Sequence, residues 1–295
     1  MRAGNREEAV AEKIIIMAES GSDVSASVAA ELGIRIVPMH VSIGSKTIDD
    51  GELPPAEMLE ECRQLGVLPK TSGCTPGDFA AAFDRVHAEH PEAKILYLAY
   101  SAVTTCSFES AMAAAQGRDY VVALDTQQVT IGQGFVVVST AKHLAANPNI
   151  TVEELRDFAA DLASRMRCAF IPGDLGYLRA GGRLSNAAFL GATLLRIKPV
   201  VEIVDGKLVA TKKLRGAMSG AALGLMDLLA LKGDFDPEQV FLVRSPGLPD
   251  SVQQAAEKHA HDLGFKNVYW YETGNVITSH SGPGSIAVAV AAAKQ

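Results

Sequence analysis

Short apolar runs rich in β-branched residues alternate, through the first half of the chain, with segments of helical spacing. "KIIIMAES", "IRIVPMHVSI", "AKILYLAYSA" and "DYVVALDT" have the strand pattern, and helical patterns such as "DVSASVAAELG" and "TPGDFAAAFDRVHAEH" lie between most of them. Strands separated by helices pair in parallel with the helices on the sheet faces, so the alternation predicts a Rossmann-like unit. After "FVVVSTAKHLAANPNITVEELRDFAADLASRM" the texture changes. "VVEIVDGKLVATKKL" reads as an antiparallel hairpin turning at Asp205-Gly206. "QVFLVRS", "NVYWYET" and "NVITSH" follow as strands, with "DSVQQAAEKHAHDLG" as a helix between them. The expected fold class is α/β with two domains: a parallel-sheet, Rossmann-like domain over 1–160 and a mixed α/β domain over 161–295.

The chain has 295 residues, 48% of them hydrophobic, enough for two cores. A net charge of −7 with no basic stripe argues against binding a phosphate backbone, so nucleic acid is not an expected partner. No run reaches the roughly 18 to 20 apolar residues that a membrane span needs. "MRAGNREEAVAEK" is charged where a signal peptide would be apolar, and a cytoplasmic location is expected. The four cysteines, Cys62, Cys74, Cys106 and Cys168, have no CxxC spacing and read as reduced thiols.

Chemistry first appears in "KTSGCTPGDF" (70–79). Thr75-Pro76-Gly77-Asp78 begins a helix with Thr75 as N-cap and Pro76 at the first helical position. Thr71 and Ser72 lie just upstream. A helix N-terminus presents unpaired N–H groups and a partial positive charge, and neighbouring hydroxyls add donors, so the place suits an oxyanion. By itself the stretch reads more simply as helix capping. "LAYSAVTTCSFESAMAAA" repeats the design: a strand ends at Tyr100, then Ser101, Thr104, Thr105, Cys106 and Ser107 precede an alanine-rich helix. Loops at the carboxyl ends of parallel strands gather along one sheet edge, so the two hydroxyl-rich loops are able to share one anion. In "NVITSHSGPGSIAVAV" a strand pattern ends at His280, and Gly282-Pro283-Gly284 turn the chain into an apolar helix pattern. His280 either donates to the same anion or caps the strand end; the residues leave both open.

Six motifs in order now carry a resemblance. "TSGCTPGDF" is a Thr-Ser loop before a Pro-Gly-acidic-Phe helix start, and "SAVTTCSFESA" is a Ser/Thr-rich loop before a Phe-x-Ser-Ala helix. "LDTQQVTIGQG", "YLRAGGRLS", "KPVVEIVDGKL" and the His-x-Gly-Pro-Gly of "HSGPG" follow. With these motifs the chain resembles, nearly end to end, the DegV family, whose characterised members bind fatty acids and act as the acyl-carrier subunit of bacterial fatty acid kinase. The resemblance implies a lipid site between the two domains, with the fatty acid carboxylate among Thr71, Ser72, a second-loop hydroxyl (Ser101 or Thr105) and His280. It implies a non-covalent carrier in phospholipid metabolism that presents a long-chain acid to a separate ATP-dependent kinase for acyl phosphate formation. No catalytic machinery, metal or cofactor of its own is expected.

Arg183, in the "YLRAGGRLS" turn, either contacts the kinase or its ATP phosphate, or pairs with a surface carboxylate such as Asp174. Candidate tunnel walls are "NAAFLGATLLRI" (186–197) and "AALGLMDLLAL" (221–231), which read equally as core helices. The chain also departs from the family pattern. Gly73-Cys74 replaces Gln-Pro, residues 102–107 replace Ser-Gly-Leu-Ser-Gly-Thr, and Glu19-Ser20 replaces Asp-Ser. Two loop glycines fewer, and more β-branched residues, predict a narrower pocket mouth. Cys74 and Cys106 read as small buried fillers, with a redox-sensitive pocket as the rival reading.

As an enzyme the chain lacks GxSxG, HExxH and GxxxxGK[ST] motifs. "HAEH" (87–90) and "HAH" (259–261) have metal-like spacing but lie in polar helical stretches, where solvated faces are expected. The rival function is a lipid esterase or hydrolase using Ser101 or Thr105 with His280.

Overall fold

The computed structural model describes residues 12–182 and 197–294. β1 (Ile14–Glu19) leads through a tight turn to α1 (Ala26–Leu32) and β2 (Arg35–Val37). Pro38, which has no N–H to donate to a ladder, follows directly after β2 at the edge of this sheet. β3 (His40–Ile43) leaves the parallel sheet and forms a hairpin with β4 (Lys46–Asp49). After α2 (Pro55–Leu65), β5 (Lys70–Ser72) pairs antiparallel with the other side of β3. The stretch expected as a loop around Thr71 is therefore a short strand of a separate sheet, ordered β4-β3-β5.

α3 (Pro76–Glu89), β6 (Lys94–Ala99), α4 (Ser107–Ala114) and β7 (Val121–Asp125) complete the first unit. Its main sheet runs β2-β1-β6-β7 with every pair parallel, as the alternation predicted. α5 (Thr130–Ala146) and α6 (Val152–Ser164) lead to β8 (Met166–Ile171) and α7 (Leu175–Ala180). Then come β9 (Ile197–Val204), β10 (Lys207–Arg215), α8 (Met218–Ala230), β11 (Gln239–Arg244), α9 (Asp250–Asp262), β12 (Asn267–Glu272), α10 (Asn275–Ser281) and β13 (Ile286–Ala291). The second sheet is six-stranded, β10-β9-β8-β13-β11-β12, with β11–β12 its parallel pair. β9 and β10 form the expected hairpin, and Asp205 and Gly206 both have positive φ, 49° and 74°, as a two-residue hairpin turn requires.

The C-terminal pattern inverts the expectation. "NVITSHS" is the helix α10 rather than a strand, and "IAVAVA" is β13, a central strand rather than a helix. A short buried apolar run has no decisive period, and partners decide it. β13 is flanked by β8 and β11 and buried along its whole length, where small and β-branched residues fit between two neighbours. The first N–H groups of α10 are taken by side chains from the first unit: Gly274 donates to Asp23 (2.8 Å) and Asn275 to Asp50 (2.6 Å).

α5 is the layer shared by both sheets. Every residue from 130 to 138 is buried, so this helix has no solvent face there. One side meets Ile16, Ala18, Leu96 and Leu98 of the parallel sheet, and the other meets Phe170, Phe241, Val243 and Ala289 of the six-stranded sheet. The opposite face of the parallel sheet (Ile15, Met17, Ile95, Tyr97) packs on Met58, Phe79 and Phe83, and Val276 and Ile277 of α10 join that core. The outer face of the six-stranded sheet is covered by α8 and α9.

Candidate functional site

Where α10 crosses into the first unit it carries His280 on its last turn, opposite β5. His280 Nε2 and Thr71 Oγ1 are 2.8 Å apart. The imidazole is backed by Gly181, at the end of α7: a methyl group there would collide with the ring. Gly181 has an ordinary helical φ of −71°, so it is the space, not the backbone angle, that requires glycine. The glycine turn after His280 is equally tight. Gly282 has φ +69°, and a methyl group there would lie 2.9 Å from Asp174 Cβ.

The two hydroxyl-rich segments meet at Gly73. A Cβ at that position would fall on Thr105 Oγ1 and Ser107 Oγ, and the next N–H, of Cys74, donates to Ser107 Oγ at 3.1 Å. Glycine in place of a bulkier residue thus lets the loops close on each other. Thr105 is bridged to Ser107 (3.1 Å). Ser101, a candidate for the anion, is fully buried and donates instead to the carbonyl of Gly206 in the β9–β10 turn (2.8 Å). Its hydroxyl clips the second loop to the hairpin and is not part of the cavity wall. Thr75 caps α3 with Asp78 in a reciprocal capping box, and Pro76 sits at the first turn, as read from the sequence. Cys74 is a buried filler whose thiol burial pushes well above its ordinary range, with the charges of Glu19 and Asp78 adding to the shift. Cys106 is exposed, which corrects the expectation of two buried fillers.

Thr71, Ser72, Gly73, Thr104, Thr105 and His280 together line part of one cavity. The rest of the lining combines the apolar side chains of Met39, Val129, Phe170, Leu208, Val243, Val276, Ile277 and Ala287 with Tyr100 and the hydroxyls of Thr130, Thr273, Ser281 and Ser285. The walls come from both units and from the α10 crossing. Among the described residues that line it, none is Asp, Glu, Lys or Arg. An anion held here is met by hydroxyls and an imidazole, while the body of the cavity suits hydrocarbon. α8, expected as a tunnel wall, instead packs on the outer face of the six-stranded sheet through Ala221, Ala222, Leu225 and Leu229. Arg183 and all but the last residue of 186–197 lie outside the described residues.

Sequence reasoning noted Glu19 only as a departure from the family pattern and missed Asp23 and Asp50, the other acids that fix this geometry. Glu19 is fully buried and accepts from Tyr97 Oη, the Tyr100 N–H (3.0 Å) and Gln133 Nε2 (2.9 Å), so it locks the cavity-lining Tyr100 to α5. Burial pushes its carboxyl above the ordinary range, against the pull of these donors. Asp23 accepts from Thr130 Oγ1 as well as from Gly274, and burial raises it well above 3.8, with Asp50 adding repulsion. Asp50 is raised by burial too. The one signal available was Gly274-Asn275, a start for α10 with no acidic side chain of its own.

Elsewhere, His259 pairs with Asp227 (2.7 Å) and His87 stacks on Tyr120, and among the described residues no cluster of three or more His, Cys, Asp or Glu is placed to hold a metal. No described helix is long and apolar enough to cross a membrane.

Residues 13–293 match the family model described as "Uncharacterised protein, DegV family". A DegV domain-containing protein of Deinococcus radiodurans is 30% identical over 289 residues, covering 94% of this chain and 98% of that one. A solved DegV family protein from Thermus thermophilus, described by its fatty acid binding, is 26% identical with a TM-score of 0.83 over 95% of this chain and 100% of its own. A DegV family protein from Eubacterium eligens, solved loaded with heptadecanoic acid, shares the fold at 17% identity, with a TM-score of 0.82 over 95% of this chain and 100% of its own.

Proposed function

Because the chain belongs to the DegV family, we propose that it binds a long-chain fatty acid non-covalently, with the carboxylate at Thr71 and His280 and the tail in the apolar cavity. The observation that carries this reading is the lining of the cavity: the hydroxyls of Thr71, Ser72, Thr104 and Thr105 gather with the His280 imidazole, apolar side chains interspersed with Thr130, Thr273, Ser281 and Ser285 form the rest, and the described lining holds no Asp, Glu, Lys or Arg. Ser72 and Thr105, which line the same cavity, add donors. Ser101 acts through the loop it anchors. The unit before residue 160 supplies the head-group segments, and the unit after it supplies most of the apolar wall and His280. Each buried methylene contributes about 0.8 kcal/mol, so the tail supplies affinity and the head group supplies orientation. Solvent extraction of denatured purified protein followed by mass spectrometry should release a long-chain fatty acid in roughly stoichiometric amount. Empty protein that also takes up no such acid would refute the reading.

We further propose that the bound carboxylate is presented to a separate ATP-dependent kinase in the cytoplasm, where acyl phosphate feeds phospholipid synthesis. The family resemblance supports this, as does the exposure of Ser72 at the carboxylate end. The chain alone should not transfer phosphate from ATP; with its kinase it should yield acyl phosphate. Arg183→Ala should lower that yield and leave acid binding intact.

The rival hydrolase expected from the sequence uses Ser101 or Thr105 with His280. Ser101 is spent on the Gly206 carbonyl and Thr105 is bridged to Ser107, so the hydroxyl beside the imidazole is that of Thr71. A hydroxyl beside an imidazole is also the geometry of an activated nucleophile. The hydrolase reading requires turnover of an acyl ester by the purified chain, abolished by Thr71→Val. Intact, unprocessed fatty acid in the extract favours the carrier.

A further inference from the structure

Resting on the carrier reading, we infer that the methyl end of the acyl chain stops at the rung of the six-stranded sheet that carries Ala287, and that Ala287 and Phe241 set the chain length accepted. The strand register aligns Phe170, Ala287 and Val243 across β8, β13 and β11. All three line the cavity. Ala287 is the smallest, so this rung forms a trough with Phe170 and Val243 as its sides.

One same-face step further along the strands, the rung is Cys168, Ala289 and Phe241. None of these lines the cavity, and all are buried. α5 fills the space above them. Phe135 packs on Phe241 with ring centroids 4.6 Å apart. Gly132 comes so near β8 that a methyl group on it would lie 3.0 Å from Cys168 Cβ. Helix and sheet are thus separated by the cavity at the Ala287 rung and in direct contact at the next. With the carboxylate held at Thr71 and His280, the tail is measured between two fixed ends. A longer tail must displace Phe241 or fold back toward the mouth.

The test compares the parent, Ala287→Leu and Phe241→Leu for binding of saturated acids from about ten to about twenty carbons, by competition with a fluorescent fatty acid. Leucine at 287 fills the trough with about three more carbons. Short acids should bind as before, and each methylene excluded should cost about fourfold in affinity, so the longest acid accepted becomes about three carbons shorter. Phe241→Leu should extend acceptance toward longer acids. If Ala287→Leu does not fold, as judged by circular dichroism, Ala287→Val should shorten the longest acid accepted by less and Phe241→Leu should shift it the other way, so the pair still reads the rung. Folded variants that keep the parent's length profile, or that weaken every acid equally, overturn this inference alone. A parent that binds no acid of any length overturns the carrier reading and this inference with it.

Discussion

Thr71 Oγ1 and His280 Nε2 are 2.8 Å apart, although 209 positions separate them in the chain. Thr71 sits on the edge strand β5, and His280 on a helix of the second unit that is seated in the core of the first. The pair exists because α10 crosses over. Any ligand that inserts its carboxylate between the two side chains is read by both units at once.

Thr71→Val keeps the shape of the side chain and removes its hydroxyl. A hydrogen bond to a charged group is worth roughly 1.5 to 3 kcal/mol, so fatty acid affinity should fall about ten- to a hundredfold. His280→Ala should weaken binding as well. A methyl ester of the same acid should be much less sensitive to Thr71→Val, and calorimetric titration of acid and ester checks the difference.

Gly181→Ala adds one methyl group against the His280 ring at a backbone angle that alanine tolerates. The ring should be displaced, and acid binding should drop toward the level of His280→Ala. In the double variant Gly181→Ala/His280→Ala, the added methyl should have little further effect, because the group it pushes is gone. Additive losses in the double-mutant cycle would show that Gly181 acts elsewhere.

Thr75 and Ser101 should behave as structural hydroxyls. Thr75→Ala removes one half of the α3 capping box and should cost about 1 kcal/mol in chemical denaturation with a small effect on acid binding. Ser101→Ala breaks the clip to Gly206 and leaves a buried carbonyl without this donor, which should cost about 1 to 3 kcal/mol.

Asp23 should make stability depend on pH. Its carboxyl is raised well above 3.8 by burial, so the folded state holds the proton more tightly than the unfolded chain does. The associated stability is fully present below the unfolded value and is lost as pH rises through the folded one. Asp23→Asn keeps an acceptor for the Gly274 N–H and cannot ionise. Relative to the parent, this variant should gain stability as pH is raised from about 4 toward neutrality. Urea midpoints measured across that range check the sign; equal slopes for both proteins would refute it.

The sequence by itself determined whatever is local. The strand and helix alternation set the parallel sheet, Asp205-Gly206 set a hairpin turn, and Thr75-Pro76 set the start of α3, because period, φ preference and capping are properties of a few neighbouring residues. The glycines of "HSGPG" and "YLRAGG" were visible as motifs, but the reason for Gly181 is a histidine almost a hundred positions away. Only the tertiary structure decided that "NVITSHS" is a helix and "IAVAVA" a strand. The first is held by carboxylates from Asp23 and Asp50, and the second by strands on both sides, and neither partner is near in sequence. The same holds within the site. Thr71 and Ser101 look alike as loop hydroxyls, yet one lies against His280 in the cavity wall and the other is spent on a backbone carbonyl. A hydroxyl's chemistry follows from what lies within about 3 Å of it, and that is set by how distant segments pack.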